Sequence, residues 1–246
     1  AVKALQGVVD APLQIDSTKA DVLEAALRVY HGKAVVNSVN GEEKSLDTIL
    51  PLVKKYGAAV VGLTLDENGI PKTARERVDI AKKILDRALA LGIRKEDVYI
   101  DCLTLTASAE QAAVGQTLEA LRLVKEELGL KTVLGVSNIS FGLPNRGLVN
   151  STFLSMALMS GLDLPILNPN VEAMTGAVRA YHVLMNIDRD SKEFIDAYGS
   201  MESAKPAVPA VSTMDLNYAV KNGLKKEAAS ITEAILRESD AMDVVN

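Results

Sequence analysis

Short apolar runs alternate along the chain with longer stretches in which apolar residues recur every three to four positions. The runs lie at 12–15, 33–36, 58–65, 98–100, 132–136 and 164–167. They are continuously apolar rather than alternating, which is how parallel strands read when helices cover both faces of their sheet. The stretches between them, 21–30, 45–56, 73–91, 109–128, 149–160 and 172–185, carry the helical period. In the first of these the apolar positions are Val22, Leu23, Ala26, Leu27 and Tyr30; in the second, Leu46, Ile49, Leu50, Val53 and Tyr56, with Pro51 expected to perturb the helix. Gly57, Gly92, Gly129 and Gly161 stand where a helix ends on a residue of positive φ.

Strands and helices alternating over short links predict right-handed βαβ units. The fold class is therefore α/β, a TIM-type (β/α)8 barrel with six of its eight strands readable. A complete barrel takes roughly 250 residues, whereas here six units occupy the first 187 or so. Either the sheet is open and doubly wound, or two strands precede residue 1. The chain opens inside a helical stretch, 1–5, without an initiator methionine, which favours the second reading and a segment of a longer protein. The barrel is assigned to residues 1–198. Residues 199–212, rich in Ser, Ala and Pro, read as a linker. Residues 213–246 read as the start of a helical module, with amphipathic stretches at 214–226 and 228–238.

Composition narrows the chemistry. Of 246 residues, 27 are Lys or Arg and 32 are Asp or Glu, a net charge of −5. That excludes a nucleic-acid footprint and a polybasic membrane surface. Aromatics are 4% with no Trp, so a base-stacking platform is not expected. One cysteine, Cys102, and two histidines, His31 and His182, leave no thiolate–imidazole metal site and suit a reducing cytoplasm. No apolar run is long enough to span a bilayer.

In parallel α/β folds the site forms at the C-terminal strand ends. The runs end in Asp16, in Asn37 and Asn40, in Asp66, in Asp101, in Asn138, and in Asn168 with Asn170. Asp and Asn also cap helices and make turns, and Asp66 and Asn168 fit that simpler role. As a set they form a ring of carboxylates and amides with few cations. A heterocycle with a donor-rich edge suits such a ring, because a carboxylate accepts two parallel N–H bonds and an amide pairs with a carbonyl and a ring nitrogen.

The stretches Pro12-Leu13-Gln14-Ile15-Asp16-Ser17-Thr18, Val35-Val36-Asn37-Ser38-Val39-Asn40-Gly41, Ile100-Asp101-Cys102 and Gly135-Val136-Ser137-Asn138-Ile139-Ser140-Phe141-Gly142-Leu143-Pro144-Asn145-Arg146 resemble the pterin-binding barrel of the cobalamin-dependent methionine synthase and methyltetrahydrofolate:corrinoid methyltransferase family. The resemblance covers about residues 1–198. It implies that Asp16, Asn37 and Asp101 hydrogen-bond the pterin, that Asn138 meets N5 and is the catalytic residue, and that Arg146 belongs to the same substrate-binding site, with no metal held by the chain. It further implies methyltetrahydrofolate as methyl donor and a cobalamin carried by a module outside this chain. The partners implied are a folate and a cobalamin-binding domain or corrinoid protein, with a homodimer among the assemblies allowed. The tail resembles the start of the helical cap that precedes a cobalamin-binding domain. Dihydropteroate synthase shares the barrel but would need a Lys on its seventh strand. A methyltransferase serving a corrinoid iron–sulfur protein, and a non-catalytic folate-binding module, are the other readings.

Overall fold

The computed structural model of the chain describes residues 1–199, 216–221 and 223–237. It divides into two compact units, Ala1–Glu193 and Phe194–Asn246.

The first unit opens with α1 (Val2–Leu5). Six strands follow: β1 (Gln14–Asp16), β2 (Val35–Asn40), β3 (Ala59–Leu63), β4 (Val98–Asp101), β5 (Lys131–Gly135) and β6 (Leu164–Ile166). All neighbours pair in parallel, in the order β1-β2-β3-β4-β5-β6. The helices are α2 (Ala20–Leu27), α3 (Glu43–Tyr56), α4 (Ala74–Ala90), α5 (Gln111–Leu123), α6 (Arg146–Met159) and α7 (Glu172–Leu184). The six apolar runs and the six helical stretches are thus the observed elements, shifted by a few residues at their ends. The sheet is a curled half-barrel: β1 and β6 do not pair with each other, and each leaves a free edge.

Register sorts the side chains. Ile15, Val36, Val60, Val98 and Ile100 are buried against the helices. Their neighbours in sequence, among them Asp16, Asn37, Val61 and Asp101, face the concave side. The core joins the helix-facing residues to Leu46, Leu50, Val53, Ile84, Leu121 and Leu154, all fully buried. Gly57, Gly92, Gly129 and Gly161 have φ between 59 and 101°, as a helix end demands.

Three local readings are corrected. Pro51 does not interrupt α3, which runs unbroken from Glu43 to Tyr56 with Pro51 on its exposed face, where water can reach the carbonyl left without an N–H partner. The helix read from 149 starts at Arg146, and Asn145 before it takes a left-handed conformation, φ 46°. The helix read as 109–128 ends in a π turn, Val124–Leu128.

α8 (Lys192–Tyr198) contains the division between the units. In the second unit, α9 (Leu216–Lys221) and α10 (Lys225–Ile235) bury Ala219 and Ile231 among Leu216, Leu224, Ala228 and Ile235. Apart from Gly199, the linker reading at 199–212 falls outside the described residues. Among those described, no helix is long and apolar enough to cross a membrane.

Candidate pterin site

The C-terminal end of the half-barrel gathers four of the five expected site residues on strands β1, β2 and β4 and on the turn after β5. Asp16 ends β1 and lies opposite Asn37 in register. Asn37 Nδ2 faces Asp16 Oδ2 at 3.5 Å, so the two groups are neighbours with little of their hydrogen-bonding capacity used on each other. Directly after Asn37 the β2 register shifts. Ser38 is the extra residue, Val39 returns to the helix side opposite Gly62, and Asn40 comes to the concave side opposite Leu63. This bulge places a second amide above Asn37. Asn40 Oδ1 accepts from Glu42 N–H at 3.1 Å, and its own N–H donates to Ser45 Oγ at 3.1 Å. Beside it lies a groove of about 640 Å³ lined in part by Thr18, Ser38, Asn40, Ser45 and Leu63.

Asp101 ends β4 opposite Leu63 and Val133. It is 9% exposed. Burial pushes its carboxyl up to about 6, a rise that the Leu103 N–H, donating to Oδ1 at 2.8 Å, partly offsets. Leu103 delivers that N–H from a left-handed conformation, φ 62°. Among the described residues Oδ2 meets no protein donor. A buried carboxylate with one oxygen unfilled is poised to accept N–H groups from a ligand. The next residue, Cys102, is fully buried, and burial drives its thiol far above the ordinary value, so it packs and does not react.

Asn138 lies in a 3-10 turn, Val136–Ser140, that follows β5 directly. The turn is fastened from two sides. From the loop after β4, Thr106 Oγ1 donates to Asn138 O at 2.9 Å, Ala107 N to Ile139 O at 2.9 Å and Ser108 Oγ to Phe141 O at 2.7 Å. From α6, Arg146 Nε donates to Ser140 Oγ at 2.9 Å and Nη2 to Ser137 O at 3.1 Å, while its guanidinium sits 4.6 Å from the Phe141 ring centroid. Arg146 therefore spends two of its five donors on the turn that carries Asn138. The Asn138 side chain itself is exposed and folds back over Gly135, where a Cβ would meet Nδ2 at 3.2 Å. On the roles that the resemblance implies, Gly135→Ala is expected to displace this amide by a few tenths of an ångström and to lower kcat about 10-fold with a smaller change in folate affinity. Steady-state kinetics beside direct binding checks it.

Asp66 and Asn168 are turn residues. Asp66 bridges Gly69 through both backbone groups and accepts from Asn68 N–H at 2.8 Å, and Asn168 Oδ1 accepts from Asn170 N–H at 3.0 Å. Among the described residues no group of three or more His, Cys, Asp or Glu is placed to hold a metal ion.

The Pterin binding enzyme family matches residues 1–168. The chain is 30% identical over 199 residues to the methylcorrinoid:tetrahydrofolate methyltransferase of Eubacterium limosum, covering 79% of this chain and 73% of that one. It is 39% identical over 184 residues to the methionine synthase of Mycobacterium leprae, covering 68% of this chain but only 15% of that one. Among solved structures, dihydropteroate synthase from Vibrio fischeri superposes with a TM-score of 0.60 at 18% identity, covering 75% of this chain and 72% of that one; this likeness is one of fold. With the half-barrel, the polar strand ends and a family match over most of its length, the chain belongs to the pterin-binding enzymes.

Proposed function

We propose that the chain transfers the N5-methyl group of methyltetrahydrofolate to a cob(I)alamin-type corrinoid, within methionine synthesis from homocysteine. The observation that carries the reading is Asp101: a nearly buried carboxylate with an unfilled oxygen, on the same concave face as Asp16 and Asn37. Such a carboxylate matches the adjacent ring N–H and amino group of a pterin, and the Asn37 amide matches its carbonyl and ring nitrogen. Similarity to a methylcorrinoid:tetrahydrofolate methyltransferase and to methionine synthases supports the methyl group as what moves.

In this reading Asp16, Asn37 and Asp101 bind and orient the ring, a positioning role. Asn138 Nδ2 donates to N5. That bond strengthens as charge develops on N5 while its bond to the methyl carbon breaks, so it favours the transition state over the ground state. The bulk proton reaches N5 through solvent, since among the described residues no histidine or lone buried glutamate stands at this end of the strands. Arg146 holds the turn that aims Asn138. The corrinoid, when bound, supplies the cobalt centre that accepts the methyl group; we assign it to a module outside this chain. The exposure of Asn138 leaves that side of the site open to such a partner. A cytoplasmic location and a homodimer belong to the same reading.

The Eubacterium limosum relative favours a second reading, in which the methyl group travels from the methylated corrinoid to tetrahydrofolate. One experiment tests both. Full-length protein is mixed anaerobically with methyltetrahydrofolate and cob(I)alamin while the Cob(I) absorbance is followed, and the reverse mixture is run beside it. Loss of Cob(I) is expected. No transfer in either direction by protein that binds folate would leave only a binding module.

A further inference from the structure

Arg77 is the largest fully buried side chain of the described residues. It sits in the apolar stripe of α4, between Ala74 and Val78. Nε donates to Pro71 O at 3.1 Å, and Nη1 meets Cys102 O at 2.9 Å, Leu103 O at 3.2 Å and Thr117 Oγ1 at 2.9 Å. None of these partners is a carboxylate, and Nη2 has no protein partner. A buried cation facing carbonyls and a hydroxyl is costly, and an apolar side chain would continue the stripe without that cost. The arrangement needs another explanation.

Two of the three carbonyls that Arg77 gathers belong to the two residues after Asp101. With Cys102 O and Leu103 O both turned toward α4, the backbone takes the left-handed bend at Leu103. That bend returns the Leu103 N–H to Asp101 Oδ1 at 2.8 Å. Thr117, on α5, ties into the same knot, with its Oγ1 3.0 Å from Leu103 O and 3.1 Å from Ala113 O.

We propose that Arg77 is a positioning residue for Asp101: through the Cys102 and Leu103 carbonyls it fixes the bend that brings the Leu103 N–H to Asp101 Oδ1, and so sets both the aim and the proton affinity of the group that grips the ligand. The inference rests on the pterin reading for its functional consequence, and on this chain's geometry alone for the coupling. Lysine cannot replace arginine here, because a single ammonium does not span Pro71 O and the Cys102–Leu103 pair as a guanidinium does. The titratable groups around this knot are Cys102 from the strand end and Glu110 ahead of α5, besides Asp101 and Arg77 themselves.

The test is the titration of Asp101 in ligand-free, full-length protein by carboxyl carbon NMR, assigned with Asp101→Asn, in wild type, Arg77→Lys and Thr117→Val. Losing the Leu103 N–H removes a bond that favours the charged form. Asp101 is then expected to titrate near pH 7 in Arg77→Lys in place of about 6 in wild type, with a smaller rise in Thr117→Val. Methyltetrahydrofolate affinity at pH 7 should fall about 10-fold in Arg77→Lys, with KM rising more than kcat falls. An unmoved Asp101 midpoint in folded variants overturns the proposal, even if stability or affinity drops, since a merely structural arginine would lower those alone. If Arg77→Lys does not fold, Thr117→Val decides by the same criterion. A midpoint that moves in protein whose wild type binds no methyltetrahydrofolate would uphold the coupling and sink the pterin reading instead.

Discussion

Replacing Asn138 by alanine is expected to slow methyl transfer about 100- to 1,000-fold while changing methyltetrahydrofolate affinity by no more than about 3-fold, the range seen when a single donor to developing charge is removed. The split follows from geometry. Asn138 stands on a turn held by three bonds from the loop after β4 and two from Arg146, so truncating its exposed amide leaves that turn in place. In the proposed reading the ring is gripped elsewhere, by Asp16, Asn37 and Asp101. N5 of the folate is a weak acceptor while it carries the methyl group and a strong one as that bond breaks, so the lost hydrogen bond is felt mainly in the transition state. Single-turnover rates with saturating folate, beside equilibrium binding, separate the two effects. Weakened binding with an unchanged rate would make Asn138 a ground-state contact.

The second large effect is expected at Asp101, where function and stability pull apart. Its carboxyl is raised from 3.8 to about 6 by burial, so the folded state holds this proton more tightly than the unfolded chain. Its contribution to stability is complete below about pH 4 and is lost as pH rises to about 6. The ionised group then costs the fold about 3 kcal/mol, from a difference of roughly two units at 1.36 kcal/mol each. Asp101→Asn keeps an oxygen for the Leu103 N–H and never ionises. It should stabilise the protein by up to about 3 kcal/mol at pH 8, with a smaller gain at pH 5. The same change should weaken methyltetrahydrofolate binding at least 100-fold or so, because two N–H bonds to a carboxylate are replaced by contacts to a neutral amide with donors of its own. In the wild type, folate affinity should rise with pH through about 6 as the carboxylate forms. Denaturant melts at the two pH values and calorimetric titration measure both halves. A variant that loses stability at pH 8 would show that Asp101 anchors the fold.

The half-barrel was legible because its signals are redundant. Continuous apolar runs, helical periods and Gly57, Gly92, Gly129 and Gly161 each mark the same boundaries. The polar strand ends were legible as a set. Within it, Asp66 and Asn168 resolve into turn residues, because their oxygens accept from N–H groups two residues on. The setting of Asn138 was hidden: the sequence does not distinguish a 3-10 turn from a loop, and Gly147 masks the start of α6 at Arg146. The Arg146 side chain accordingly reads as a ligand contact in sequence and as the clasp of a turn in space. The β2 bulge that brings Asn40 to the concave side is a one-residue register shift that no composition signal marks. Arg77 did leave a trace, since it interrupts an apolar stripe made by Ala74, Val78 and Ala81. A lone cation on a buried helix face is a hint to look for backbone carbonyls that it organises.

The most direct test of the pterin site is a crystal structure of the full-length protein soaked with methyltetrahydrofolate. The expected result is a pterin on the concave face, its amino edge on Asp101, its ring flanked by Asn37 and Asp16, and N5 toward Asn138 Nδ2. A pterin bound away from Asp101, or one whose N5 points away from the turn after β5, would contradict it.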